Sequence, residues 1–263
     1  VTEPHDAHLA ALKDEFQRAS TLFNERTRGR FDDLGVIEFS RLGGGETVVE
    51  VGAGAGNFLS LFRGHAARLI GIDIVEAMLR KGVEDAPDLA AVVGDAYRLP
   101  LRSHSVDLVA SAQALHHIHR PVPVLDEMRR VMGPGGRALL VDQVSTESFE
   151  ETAMRHELEI VRDPSHAATR PPSALRIMVR AAGFEIVDER IVEAEQRLSK
   201  WMWPGEFPPE RIERVRSFIE QNGAETGMDF RSDGDDWAFT RRRMMILAAV
   251  PAEASHASER IRA

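Results

Sequence analysis

The chain has 263 residues, 43% of them apolar and 29% charged, with a formal net charge of −9 and no cysteine. That length suits one large α/β domain with embellishments and is short for two independent domains of ordinary size. An acidic surface disfavours nucleic acid as a partner, because phosphates need a basic face, and the absence of cysteine excludes disulfides, thiolate metal ligands and cysteine nucleophiles together.

The chain opens Val1-Thr-Glu-Pro-His-Asp6, without the basic-then-apolar pattern of a secretion signal. The longest apolar stretch, Met244 to Val250, falls far below the roughly eighteen residues needed to span a bilayer. A cytoplasmic protein with no membrane partner is therefore expected, as a monomer or homodimer. Residues 5–42 have helical spacing, with Leu9, Leu12, Phe16, Leu22 and Phe23 on one broken apolar face and Phe31, Leu34 and Ile37 on a second. Residues 1–42 thus form a helical cap ahead of a sheet.

Glu46 to Phe58 is the most informative stretch: an apolar β-branched strand, Glu50 near its tip, then Gly52, Gly54 and Gly56 at alternate positions. A buried strand that must turn sharply into a helix uses such side-chain-free positions, with Ala53 between them, to bring the backbone close to a ligand. The dinucleotide pattern G-x-G-x-x-G fails at its last position, where Asn57 stands. Glu50 argues the same way, since a carboxylate there repels a diphosphate and attracts an ammonium group. Next, Leu69 to Ile74 carries Asp73 where an acid at a strand tip accepts from both ribose hydroxyls, and Val92 to Ala96 offers Asp95 to an adenine amino group, with Ala96 and Ile74 on the ring faces. A cationic nucleoside fits these groups better than a dinucleotide.

From Thr47 to Asp142 short apolar runs centred on Val49, Ile70, Val92, Leu108 and Leu140 alternate with helical stretches, the rhythm of βαβ units in a parallel sheet. Pro134-Gly135-Gly136 reads as the turn into the fifth of these strands. Glu50, Asp73, Asp95, Ala112 to Ala114 and Asp142 then all fall at strand carboxyl ends, in one crevice. Beyond it, Ser148 to Val161 is helical, Arg162 to His166 is a polar turn, and a helix opened by Pro171 and Pro172 ends at Gly183. Further strands are expected over Ile186 to Val192 and Met244 to Val250, the latter preceded by Arg241-Arg242-Arg243 as a solvated start. Residues 251–263 form a flexible tail.

Across Glu50-Val-Gly-Ala-Gly-Ala-Gly56, Gly71-Ile-Asp73, Gly94-Asp-Ala96, Leu99-Pro100, Val106 to Val109, Ala114-Leu-His-His-Ile118 and Arg130 to Arg137 before Leu139 to Asp142, the chain resembles the class I S-adenosylmethionine-dependent methyltransferases. It is most similar to the small-molecule branch that includes the ubiquinone and menaquinone biosynthesis C-methyltransferases. The resemblance implies a Rossmann-like, doubly wound, seven-stranded and mostly parallel α/β sheet with its last strand antiparallel, spanning 43–250, with substrate-side insertions around 148–182 and 194–240. It implies S-adenosyl-L-methionine as cofactor and a small, hydrophobic or aromatic acceptor methylated at carbon or oxygen. Phe23-Asn24 and Phe31-Asp32 become candidate lid residues, and Gln113 a contact to the methionine end.

Methyl transfer needs positioning and exclusion of water more than covalent help, so a base is optional. If one is used, His116, His117 and His166 are the candidates; His119, beside Arg120-Pro121, reads as exposed. No metal site is expected, because no His-x-x-x-His pair with an acid is found and adjacent histidines on a regular element point apart. No Gly-x-Ser-x-Gly elbow surrounds Ser103, Ser105 or Ser111, which disfavours hydrolysis. Trp201, Trp203 and Trp237 offer either an apolar acceptor pocket or ordinary core. The alternatives are a binding or cyclase-like protein that keeps the cofactor without moving its methyl, a nicotinamide oxidoreductase, and a protein or RNA methyltransferase. The last is disfavoured by the acidic charge and by the lack of an Asn-Pro-Pro-Tyr-like motif.

Overall fold

The computed structural model describes residues 4–202 and 207–251, with side chains in the first helix described at 8–18, 20 and 27. Helix α1 (Pro4–Thr27) leads through a 3-10 turn at Asp32–Leu34 into the short α2 (Val36–Ser40). The sheet then starts with β1 (Thr47–Val51), β2 (Arg68–Asp73), α3 (Glu76–Asp85), β3 (Ala90–Val93), β4 (Val106–Ala112), α4 (Pro121–Val131) and β5 (Met132–Gln143). It finishes with α5 (Phe149–Arg162), α6 (Pro172–Ala181), β6 (Glu185–Arg197), α7 (Leu198–Met202), α8 (Pro209–Asn222), β7 (Arg231–Asp233) and β8 (Asp236–Ala249).

The strand order is β3-β2-β1-β4-β5-β8-β6, and β7 adds a short hairpin partner to β8. Strands β1 to β5 pair in parallel, while β8 runs antiparallel to both β5 and β6. The expected Rossmann-like sheet with an antiparallel last strand is present, extended by the β7 hairpin.

Strand periodicity explains why both faces are covered. Val49, Val109, Leu140 and Ile246 join one buried cluster, and Val48, Leu108, Leu139 and Leu247 join another on the opposite face. Val124, Leu125 and Met128 of α4 fill the first cluster; Phe39, Phe58 and Phe62 fill the second. A third cluster, with Leu158, Trp201, Val215 and Phe239, packs α5, α7 and α8 against the outer half of β8. Trp201 and Trp237 therefore serve mainly as core, and Trp203 lies outside the described residues.

Three local expectations are corrected. The glycine turn after β1 does not enter an α-helix but a run of turns ending in a 3-10 segment at Leu59–Phe62. Pro134-Gly135-Gly136 lies inside β5 as a bulge, where the register jumps from Val106 opposite Met132 to Leu108 opposite Arg137. Strand β8 begins at Asp236, so the arginine triplet sits mid-strand, and Arg243 is only 4% exposed.

Candidate active site

A cleft of about 1090 Å³ opens at the carboxyl ends of β1 to β4. Its walls bring together Glu50, Gly52, Ala53, Gly54, Asp73, Ile74, Asp95, Ala96 and Gln113, from four separate stretches of chain. Gly56 is off the wall: its φ of +75° shapes the turn, and Leu89 would crowd an added Cβ at 3.1 Å.

Four N–H groups of the turn are engaged within the protein. Gly52 and Ala53 donate to the Ile72 carbonyl, Gly56 to the Ala53 carbonyl, and Gly54 to Asp73 Oδ2 at 2.7 Å. A diphosphate needs a nest of such N–H groups, and these four are spent. Asp73 also accepts from Val75 N–H at 2.8 Å, so both its oxygens are aimed by backbone while keeping a lone pair for a ligand hydroxyl. Asp95 accepts from Tyr97 N–H at 2.9 Å in the same manner. Burial pushes the Asp73 carboxyl up. It pushes Glu50 up further, with Asp73 adding to the effect and the Leu59 N–H and Arg30 opposing it. Two neighbouring buried acids of raised pKa make a site that a cation stabilises.

Helix α1 lies across the mouth. Leu9, Leu12 and Phe16 line the cleft, and Phe16 and Leu12 pack on Ala55, Val75 and Met78. The helix is fixed at both ends: His8 Nε2 lies 2.8 Å from the His117 carbonyl, and Asn57, the residue in place of a third dinucleotide glycine, donates to Thr27 Oγ1 at 2.7 Å. Leu22, Phe23 and Asn24 have side chains outside those described. Phe31 is core, 2% exposed and edge-on to Phe58, while its face also borders the cleft.

A second, larger cleft of about 1750 Å³ adjoins the first, and Phe16, Arg30, Gln113 and His117 stand on the walls of both. Gln113, held with φ +55°, accepts at its side-chain carbonyl oxygen from Arg241, and its buried amide nitrogen has no partner among the described residues. His116 lines the second cleft; its Nδ1 lies 2.6 Å from Asp142 Oδ1, and its backbone N–H donates to Asp142 Oδ2 at 3.0 Å. Although burial raises Asp142, the His116 imidazole and the hydrogen bonds hold it below the ordinary carboxylate range. His117 meets Ser165 through Nδ1, at 3.0 Å from the carbonyl and 3.1 Å from the hydroxyl. Burial and the adjacent His116 push His117 down to about 4.

The two rings do not point apart as expected, because a 3-10 turn replaces a regular element and sets their centroids 4.2 Å from each other. His166 borders neither of these clefts; it is buried behind His116, 5.6 Å away, and burial pushes it down to about 3. His119 is exposed, as expected, and its ring stands edge-on to His8.

Sequence reasoning missed Arg30, Arg241 and the Asp142 partnership of His116. Arg30 sits in a loop with no motif, and Gln113 and Arg241 are 128 positions apart. Only the alternation of Arg241 and Arg243 along a strand signalled that both face the same way.

Comparison with known proteins agrees with the fold. Residues 49–140 match the family described as a methyltransferase domain. The methyltransferase YcgJ of Bacillus subtilis, itself uncharacterised, is 26% identical over 236 residues, which cover 85% of this chain and 92% of YcgJ. Its crystal structure superposes with a TM-score of 0.76 at 22% identity, covering 82% of this chain and 96% of that one, a likeness of fold. A demethylmenaquinone methyltransferase of Beutenbergia cavernae is 33% identical over 147 residues, 55% of this chain and 60% of that enzyme. The fold is shared too with phosphoethanolamine N-methyltransferase 2 of Haemonchus contortus in complex with S-adenosyl-L-methionine, at TM-score 0.61 and 14% identity, covering 88% and 56% of the two chains. Residues 49–140 thus carry a methyltransferase domain, and the chain is similar to S-adenosylmethionine-dependent methyltransferases.

Proposed function

We propose that the first cleft holds S-adenosylmethionine and the second a small-molecule acceptor with an aromatic or other apolar body. The observation that carries this reading is the meeting of the two clefts at Phe16, Arg30, Gln113 and His117. Asp73 takes the ribose hydroxyls, Asp95 the adenine amino group, and Ile74 and Ala96 the ring faces. Glu50 offers charge to the ammonium end and Arg30 to the carboxylate end, while the unpartnered Gln113 amide nitrogen is free to donate there. The residues fit the cofactor because a pair of buried acids calls for a cation and the spent N–H groups do not serve a diphosphate.

When bound, the cofactor supplies a sulfonium-activated methyl group, whose transfer to an acceptor nucleophile leaves a neutral thioether. The chain's part is to align the acceptor, keep water out beneath α1, and receive a proton where the nucleophile carries one. His116 is the base of choice among the three histidines: it borders the acceptor cleft, and Asp142 fixes its Nδ1 so that Nε2 is left to accept. His117 and His166, pushed down to about 4 and about 3, hold a proton too weakly at neutral pH to serve as well.

Calorimetric titration of the purified chain with S-adenosylhomocysteine and, separately, with NADH tests the cofactor assignment. Binding of the thioether without a response to NADH is expected; the reverse outcome overturns it. Incubation with methyl-labelled S-adenosylmethionine and a panel of phenolic acceptors then tests transfer. Binding without label in any product points to a protein that keeps the cofactor but leaves its methyl in place.

A further inference from the structure

The second cleft carries more positive charge than the cofactor requires. Arg28, Arg30, Arg162, Lys200, Arg241 and Arg243 border it, against the carboxylates of Glu15, Asp33, Asp163 and Glu195. Those carboxylates are already engaged: Glu15 with Arg211 at 2.9 Å, Asp33 with Arg243 at 2.8 Å, Glu195 with Arg231 at 3.0 Å, and Asp163 with Ser165 at 2.6 Å. Arg162 has its own partner in Glu159 at 3.0 Å.

Among the described residues Arg241 makes no ion pair; its one acceptor is the neutral Gln113 carbonyl oxygen, and its buried Nε has no partner. Burial, with Arg30 and Arg243 adding to it, pushes the guanidinium down to about 9. Keeping a desolvated cation beside two others is unfavourable, and a planar fork without a carboxylate is a receptor for one. Arg241 borders only the second cleft, so the anion it awaits belongs to the acceptor rather than to the methionine end of the cofactor.

We infer that the acceptor carries an acidic group, a carboxylate or a phosphate ester, seated on Arg241 and facing Lys200, with its apolar body toward Trp201 and Phe207. This rests on the assignment of the second cleft to the acceptor. It narrows the substrate class from an apolar small molecule to an amphiphilic acid.

The test uses the full chain saturated with S-adenosylhomocysteine and titrated calorimetrically with benzoate, phenyl phosphate and benzamide. At least one anion is expected to bind tenfold or more tightly than the neutral, isosteric amide, and the stronger of the two identifies carboxylate or phosphate as the group. Arg241→Gln should cut that preference tenfold or more, Arg241→Lys should retain part of it, and Arg180→Gln, an exposed change of equal charge away from both clefts, should leave it intact. Equal binding of benzamide and both anions to the wild-type chain overturns the inference. So does an unchanged preference in Arg241→Gln, or a loss there of S-adenosylhomocysteine affinity alone, which would give Arg241 to the cofactor. If Arg241→Gln does not fold, the wild-type comparison and the lysine variant decide. Failure of S-adenosylhomocysteine to bind the wild-type chain strikes the cofactor assignment instead, so the two failures are distinct.

Discussion

Replacing Gly52 by alanine probes whether the turn after β1 is dictated by shape. The added Cβ would stand 2.5 Å from the Ala114 Cβ, and the backbone at Gly52 has φ +74°. Occupying that left-handed region costs an ordinary residue about 1–2 kcal/mol. Carbon atoms rest about 3.5–4.0 Å apart, so the two must also separate by about 1 Å or more. Ala114 cannot easily retreat, because its carbonyl receives the His117 N–H at 3.0 Å in the turn that positions both histidines. Overpacking of this kind adds about 1–3 kcal/mol, for a total of about 2–5 kcal/mol. Domains typically hold about 5–15 kcal/mol, so the variant should fold with a lowered urea midpoint. Urea unfolding of the wild type, Gly52→Ala, Ala114→Gly and the double variant separates the two contributions. Once the Ala114 Cβ is gone, the nearest remaining atom of Ala114 is its Cα at 4.0 Å, an ordinary contact. The double variant should therefore recover the steric share and keep the backbone share. A loss below about 1 kcal/mol in Gly52→Ala, or a coupling below about 0.5 kcal/mol in the cycle, refutes the reasoning.

Asp73→Ala should lower S-adenosylmethionine affinity tenfold or more in calorimetry, the scale of losing charge-assisted hydrogen bonds; an unchanged Kd removes Asp73 from the ribose role. Because the Glu50 carboxyl is raised by burial, a cationic ligand must draw it into its ionised form. Binding should then release protons, and affinity should climb with pH until the raised pKa is passed. Calorimetry in buffers of different ionisation enthalpy should detect that release in the wild type and not in Glu50→Gln. Glu159→Gln leaves Arg155 and Arg162 without their buried carboxylate and should cost about 3–5 kcal/mol in urea unfolding. Against the raising effect of burial, Arg162, His166 and Arg155 hold Glu159 down to about 2. Its stabilisation is complete above the ordinary carboxylate range and fades as pH falls toward that value, so the gap between the two proteins should close in acid.

What could be read from the sequence was whatever depends on near neighbours. Alternating glycines, β-branched runs of strand length and acids at their ends are local signals, because strand, turn and tip are set by residues a few positions apart. They placed Glu50, Asp73, Asp95, Ala112 to Ala114 and Asp142 at one crevice, and the structure brings all of these to one cleft wall except Asp142, which is buried against His116 and borders neither cleft. The form of the turn after β1 was less legible, since the choice between an α-helix and a 3-10 segment was made by packing of Phe58 and Phe62 into the core beneath the sheet.

The electrostatic character of the neighbouring cleft was decided only by the tertiary structure. Three consecutive arginines read as solvated because charge is ordinarily exposed, yet β8 is threaded between β5 and β6, and strand alternation turns Arg241 and Arg243 inward while Arg242 reaches out to Glu193 and Asp229. Likewise Asp142 and His116 are 26 positions apart, and it is the parallel pairing of β4 with β5 that sets imidazole against carboxylate. Burial and charge pairing depend on what the rest of the chain packs around a residue, which no local window of sequence contains.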